Sequence, residues 1–199
     1  MEASAVPYPL TFTLEAPAEV ARWRPFVHWL LVIPQFFVLY VLEMVASVCA
    51  VIAWFAILFT GAMPAGLAGL LAMFVRYQTR VTTYALYLRE PYPPFSFETT
   101  EPDPGDDPPV RVEARPELED RNRVTVFFRW LTVIPSAVVL ALVGIGACIA
   151  TFIGAFAILV TGRWPEGLRT FVLGYLRWGV RLSGYAMLLT DEYPPFSLD

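Results

Sequence analysis

Residues Phe26–Phe59 read FVHWLLVIPQFFVLYVLEMVASVCAVIAWFAILF, 34 positions in which only His28 and Glu43 ionise. As one straight helix this stretch is about 51 Å long, against a bilayer hydrocarbon core of about 30 Å. One perpendicular span is too long, whereas two spans of about 17 residues fit. A matching stretch, Phe127–Val160, carries Gly144-Ile145-Gly146 at its middle, in line with Glu43-Met44-Val45. Glycine lowers helix stability and a carboxylate belongs near water. The expectation is therefore a tight helical hairpin in each stretch, with apices at Glu43–Ala46 and Val143–Ala147.

The match extends far beyond these stretches. A shift of 101 residues aligns Arg22–Phe97 with Arg123–Leu198 without a gap, and roughly 30 of the 76 positions are identical. Trp29-Leu30 aligns with Trp130-Leu131, Val32-Ile33-Pro34 with Val133-Ile134-Pro135, and Phe55–Leu58 with Phe156–Leu159. Thr60-Gly61, Pro64, Gly66 and Leu67 recur as Thr161-Gly162, Pro165, Gly167 and Leu168, and both units close on Tyr-Pro-Pro-Phe-Ser, at 92–96 and 193–197. Shared apolar composition does not hold polar, Pro and Gly positions in register over such a length, so the chain is a tandem duplication. Its units are residues 1–97 and 110–199. Between them, residues 98–109 (ETTEPDPGDDPP) form an acidic, Pro-rich segment that reads as a solvated linker. Each unit opens with a short alternating stretch, Leu10–Leu14 and Val110–Ala114, that reads as a β-strand. The two are candidates to pair with each other.

Composition sets the class. Of 199 residues 57% are apolar and 16% charged, with mean hydropathy +0.56; soluble domains sit nearer 45–50% and about 25%. An integral membrane protein is the leading class, and a nucleic-acid binder, a disulfide scaffold and a disordered chain are excluded. All 14 basic residues are Arg, and the net charge of −4 gathers in the termini and linker. The first 20 residues show no signal-peptide pattern, so the apolar segments themselves are expected to direct insertion. Cys49 and Cys148 lie inside apolar stretches and are expected as buried free thiols.

A further apolar segment follows each hairpin, over about 65–89 and 166–190. It differs in carrying Arg76 and Arg80, or Arg169, Arg177 and Arg181. Arginines in a lipid-facing span are costly, so these segments are expected as amphipathic helices in the headgroup region. Two spans per unit give both copies one orientation under the positive-inside rule. The expected fold is thus all-α: four membrane-crossing helices and two interfacial ones, multi-pass, with both termini and the linker cytoplasmic. The rival is a pair of shallow hairpins that never reach the far leaflet.

Few residues carry chemistry. His28 becomes Arg129 in the second unit, which suits a headgroup-boundary position better than a metal ligand or base. No metal-ligand spacing, Gly-rich phosphate loop or nucleophile elbow is present, so no cofactor, metal or catalytic residue is expected and the chain is read as non-enzymatic. Arg76, Arg80 and Tyr77, with Arg177, Arg181 and Trp178, are the candidates for lipid-headgroup contact. Gly146, Ala150 and Gly154 form a small-residue ladder for close helix packing. Tyr92, Pro93, Pro94 and Phe95, with Tyr193, Pro194, Pro195 and Phe196, are held extended by their prolines and read as a structural clasp.

The motif set, Trp-Leu-Leu-Val-Ile-Pro at 29–34, Trp-Phe-Ala-Ile-Leu-Phe-Thr-Gly at 54–61, Pro-x-Gly-Leu, Arg-Tyr/Trp-x-x-Arg and Tyr-Pro-Pro-Phe-Ser, resembles an uncharacterised bacterial membrane family, domain of unknown function forty-three eighty-nine. The second unit departs from it at Val124 and Ala155. The resemblance implies a bacterial inner-membrane protein and brings no activity or cofactor. The expected partners are membrane lipids and a membrane-protein partner or homo-oligomer, with no nucleic acid. The expected function is an accessory, anchoring or assembly module; a small-solute or lipid carrier between the units, or a membrane-shaping protein, are the alternatives.

Overall fold

The computed structural model describes residues 8–100 and 102–199. Among them are two strands and five helices: β1 (Leu10–Leu14), α1 (Arg24–Thr60), α2 (Ala65–Ala85), β2 (Val110–Ala114), α3 (Arg123–Phe127), α4 (Arg129–Thr161) and α5 (Glu166–Ala186).

The hairpins are absent. α1 is one helix of 37 residues and α4 one of 33, each unbroken through its expected apex. The reason lies in the phase of the inward-facing residues. His28, Val32, Gln35, Ala46, Ala50, Ala53 and Ile57 are buried, and all fall on one stripe at 3.6 residues per turn. Arg129, Ser136, Ala147, Ala150, Gly154 and Ile158 do the same in α4. A turn at 43–46 would break that phase. The glycines at the middle of α4 instead make room: a Cβ on Gly144 would lie 3.3 Å from the Tyr175 ring and one on Gly146 3.2 Å from that of Phe171. α1 and α4 are also the two helices long and apolar enough to cross a membrane, so the four crossings reduce to at most two.

Each long helix ends at a glycine in the left-handed region, Gly61 (φ 80°) and Gly162 (φ 75°), whose amide bonds back to Ile57 or Ile158. This positive φ suits glycine. The chain then reverses, and α2 packs back along α1 and α5 along α4. Both return helices begin after an extended proline, Pro64 or Pro165.

The two units interlock. β1 and β2 pair antiparallel, with Leu10 opposite Ala114 and Leu14 opposite Val110. β1 packs on α5, the other unit's helix, and β2 on α2. The contacts at the long helices' ends are reciprocal. The Val20 amide donates to Gly162 O at 3.0 Å and the Arg121 amide to Gly61 O at 3.1 Å. The start of each long helix therefore lies at the end of the other, and α1 and α4 run antiparallel about a pseudo-twofold axis.

Three layers result. α1 and α4 form the outer one, α2 and α5 the middle, and the strand pair with residues 98–100 and 102–107 the third. The core joins Ala46, Ala50, Ile57, Leu71, Phe74 and Val75 with Val110, Val112, Trp164 and Val172. Trp164 lies across Gly154, where an added Cβ would fall 2.2 Å from the indole. Gly154→Val should lose about 1–3 kcal/mol through overpacking, whereas Gly167→Ala, with open space around it, should lose none. Thermal unfolding of the two variants in mild detergent checks the difference.

Candidate functional site

The outer layer presents a surface without a partner among the described residues. The side of α1 opposite its buried stripe carries Phe26, Leu30, Phe37, Met44, Val48 and Phe55, all exposed, and α4 matches it with Ile145, Phe152 and Phe156. Phe37 is 71% and Phe59 78% exposed. Contiguous apolar surface of this extent marks a contact with lipid or protein. Glu43 is exposed too, but it lies about 60° from the middle of the buried stripe, towards α2 rather than at the outer pole. Cys148 is exposed on α4 and Cys49 half-buried, so the expected burial of both thiols does not hold.

The arginines of the return helices point the other way. Arg80, 2% exposed, donates through Nη2 to Asp106 at 2.8 Å and Asp103 at 3.3 Å, and its Nε lies 3.7 Å from Asp107. Arg76 donates to the carbonyls of Glu98, at 3.2 Å, and Thr100. Arg181 donates to those of Ser197 and, at 2.6 Å, Asp199. Tyr77 gives its hydroxyl to Gln35 Oε1 and stacks on Phe97 at 5.6 Å. Trp178 is 3% exposed and meets Phe196 edge-on at 5.5 Å. Arg177 is half-buried, beside Tyr8 and Phe12. The headgroup candidates are thus largely enclosed, and the segment between the units is not simply solvated: Asp103 and Asp107 are buried and tied to Arg80 and Arg89.

The Tyr-Pro-Pro-Phe segments lie on the same layer. Tyr92 meets Tyr84 at 5.4 Å, and the Pro93 carbonyl accepts from Gln35 Nε2 at 2.7 Å. Tyr193 meets Tyr185 at 5.5 Å and accepts from Ser136 Oγ at 2.9 Å. Gln35, the only amide side chain in α1, was a signal the sequence reading passed over. Gly146, Ala150 and Gly154 face α5 and Trp164, so the ladder packs a long helix on its own unit's return.

The ends of the long helices hold the remaining charge. Arg121 grips Asp191 in a fork, Nε at 3.1 Å and Nη2 at 2.7 Å, and Arg129 reaches the same carboxylate at 2.5 Å. Arg129 also lies 3.9 Å over the Tyr185 ring. In the first unit His28 takes that place, stacked on Tyr84 at 4.1 Å and bonded through Nδ1 to the Tyr84 carbonyl at 3.2 Å. The His28/Arg129 exchange therefore sets a ring or a guanidinium against the equivalent tyrosine of each unit, Tyr84 or Tyr185. Arg123 from the second unit reaches within 3.1 Å of where a Cβ on Gly61 would stand, and Arg22 occupies the matching place at Gly162, 3.6 Å away. Each arginine brings positive charge to the carbonyl end of the other unit's helix. No group of three or more His, Cys, Asp or Glu suited to a metal is found among the described residues.

Fold and surface define a duplicated, interlocked helical protein with one broad apolar face. The chain belongs to the DUF4389 family, a domain of unknown function, which it matches twice, over residues 22–96 and 123–197. No curated protein and no solved structure matches it.

Burial would raise the Asp191 carboxyl, but hydrogen bonds and charge from Arg121, with the Asn122 amide and Arg129, hold it below the ordinary carboxylate range. A lowered folded value means stability that is complete above the unfolded value near 3.9 and lost as pH falls from there through the folded one. Asp191→Asn should cost about 3 kcal/mol at neutral pH, because it strands two arginines. It should also flatten the acid limb of a stability–pH curve measured by denaturant unfolding.

Proposed function

We propose that this chain is a non-catalytic membrane module, an accessory, anchoring or assembly subunit of the bacterial inner membrane, with the layer of residues 98–100 and 102–107 turned to the cytoplasm. The observation that supports this reading is the division of labour in its side chains. The buried arginines are spent on internal carboxylates and carbonyls, while the largest free surface is aliphatic and aromatic. A surface of that kind binds acyl chains or another apolar helix and performs no proton or group transfer. The exposed Arg22, next to exposed Trp23, and the exposed Arg123, next to exposed Val124, suit phosphate headgroups at the border of that surface. These rim residues replace Arg76 and Arg80 as headgroup contacts.

A carrier reading draws on one feature. Where α2 meets α5 there is a cavity of about 240 Å³ lined by Gln78, Thr79, Thr82, Tyr175, Gly179 and Ser183, which is the inter-unit position a small solute would use. It ranks second, since no charged side chain lines the cavity.

The module reading predicts that the chain stays in the membrane fraction after carbonate washing and is released by detergent, together with a stoichiometric partner. Release by carbonate alone sinks the membrane assignment. A solitary protein with turnover sinks the non-catalytic one. Flux of a polar solute in proteoliposomes, blocked by Gly179→Trp, would move the carrier reading to first place.

A further inference from the structure

Given the membrane assignment just made, on which this inference rests, three features of the structure bear on how the protein sits in lipid.

The first is length. The exposed apolar run of α1 extends from Phe26 to Phe59, and that of α4 from Leu131 to Val160, about 50 Å and 44 Å. Upright in a hydrocarbon core of about 30 Å, either helix would leave several turns of Phe, Trp and Leu in water. Tilting enough to hide them exceeds the usual range.

The second is the level at which the polar layer is attached. α2 runs beside α1, tied to it by His28 with Tyr84 near one end and Gln35 with Tyr77 further along. Residues 98–100 and 102–106 follow the middle of α2: Thr99 O stands 2.3 Å from a Cβ placed on Gly69, Glu98 and Thr100 meet Arg76, and Asp106 meets Arg80. In the second unit Leu198 O and Asp199 hold the same level against Gly174 and Arg181. Glu98, Thr100, Asp106 and Asp199 are exposed. With α1 and α4 upright, these groups would lie at mid-membrane facing hydrocarbon, where nothing solvates them.

The third is symmetry. Because α1 and α4 are antiparallel, both ends of the pair carry the same equipment: Arg22, Glu19 and Arg163 at one, Arg121, Arg123 and Glu117 at the other. Opposite faces of a bilayer would then meet like charge, with no bias to set an orientation.

Laying the helices flat removes all three conflicts, and we infer that α1 and α4 lie in the plane of a single leaflet, with their outer faces among the acyl chains. In this seat the pseudo-twofold axis stands along the membrane normal and both helix ends sit at one depth. The strand pair and residues 98–100 and 102–107 face water. Glu43, on the flank of α1 nearer α2, reaches up to the headgroups. The occupant of the apolar face is therefore lipid acyl chain, not a second copy of the chain.

The test is the sidedness of single cysteines in a Cys49→Ala, Cys148→Ala background. Glu166→Cys marks the end where α1 starts, Glu119→Cys the end where it finishes, and Thr100→Cys the middle of α2. An impermeant maleimide is applied to spheroplasts and, separately, to inverted membrane vesicles. All three positions should label in one preparation and none in the other. Labelling of 119 and 166 from opposite sides, with 100 unreactive, overturns the in-plane seat. Arg22→Cys and Thr60→Cys repeat the comparison at the same two ends if an introduced thiol disturbs folding. Flotation of the purified protein with phosphatidylethanolamine–phosphatidylglycerol vesicles separates the two readings. Failure to float, with the apolar faces closed in a soluble dimer, removes the membrane assignment and the seat with it, whereas flotation with opposite-side labelling removes the seat alone.

Discussion

The interlock at the two glycine turns governs the rest of the molecule. A helix of 37 residues and one of 33 each finish with carbonyls that no residue of their own turn satisfies in full. The Arg121 amide bonds to one end and the Val20 amide to the other, with Arg123 and Arg22 bringing positive charge beside Gly61 and Gly162. The strands repeat the exchange, β1 lying on α5 and β2 on α2. Neither unit closes its own core. Gly184 is covered by Leu10, and Trp164 sends its indole N–H across to the Tyr87 carbonyl at 2.8 Å. The duplication therefore yields one folded body in which each half supplies what the other lacks, as in an isologous dimer.

That closure forces the segregation of charge. With one face of α2 pressed on the stripe of α1, Arg76 and Arg80 have only the opposite face on which to find partners. Desolvated arginines need carboxylates or carbonyls in good geometry, and the chain supplies Asp103, Asp106 and the Thr100 carbonyl from the segment between the units. In the second unit the final residues, Ser197 and Asp199, do this with main-chain oxygens. The two solutions differ in atoms but share a place, and both fix a polar layer on the side away from α1 and α4.

Much of this was legible in the residues. The repeat, both strands, the glycine stops and the tyrosine–proline segments can be read from spacing and identity, because each rests on local backbone chemistry or on alignment. Strand pairing followed from the alternation in Leu10–Leu14 and Val110–Ala114, which gives each strand one apolar face to bury. The partners of Arg80 were not legible. An acidic, Pro-rich run looks solvated by composition, and only the closed core shows that Asp103 and Asp107 sit against buried guanidinium groups. The contacts of Arg76 and Arg181 escaped for the same reason, since their partners are main-chain carbonyls, which carry no sequence signal.

The hairpin apices failed on a more instructive point. The arithmetic was sound: a helix of about 51 Å does not stand upright in a core of about 30 Å. A turn is one remedy for that mismatch, and Gly144 with Gly146 in one unit and Glu43 in the other suit it by composition. The stripe of Val32, Gln35, Ala46, Ala50, Ala53 and Ile57 keeps helical phase across the apex, and phase is evidence of a different kind from composition, because a reversal cannot preserve it. Once the helix is continuous, the mismatch has to be met by orientation instead. A long helix that is apolar on its outer side and backed by a charged layer along its whole middle is amphipathic across its axis rather than along it, and a bilayer accepts such an object lying down.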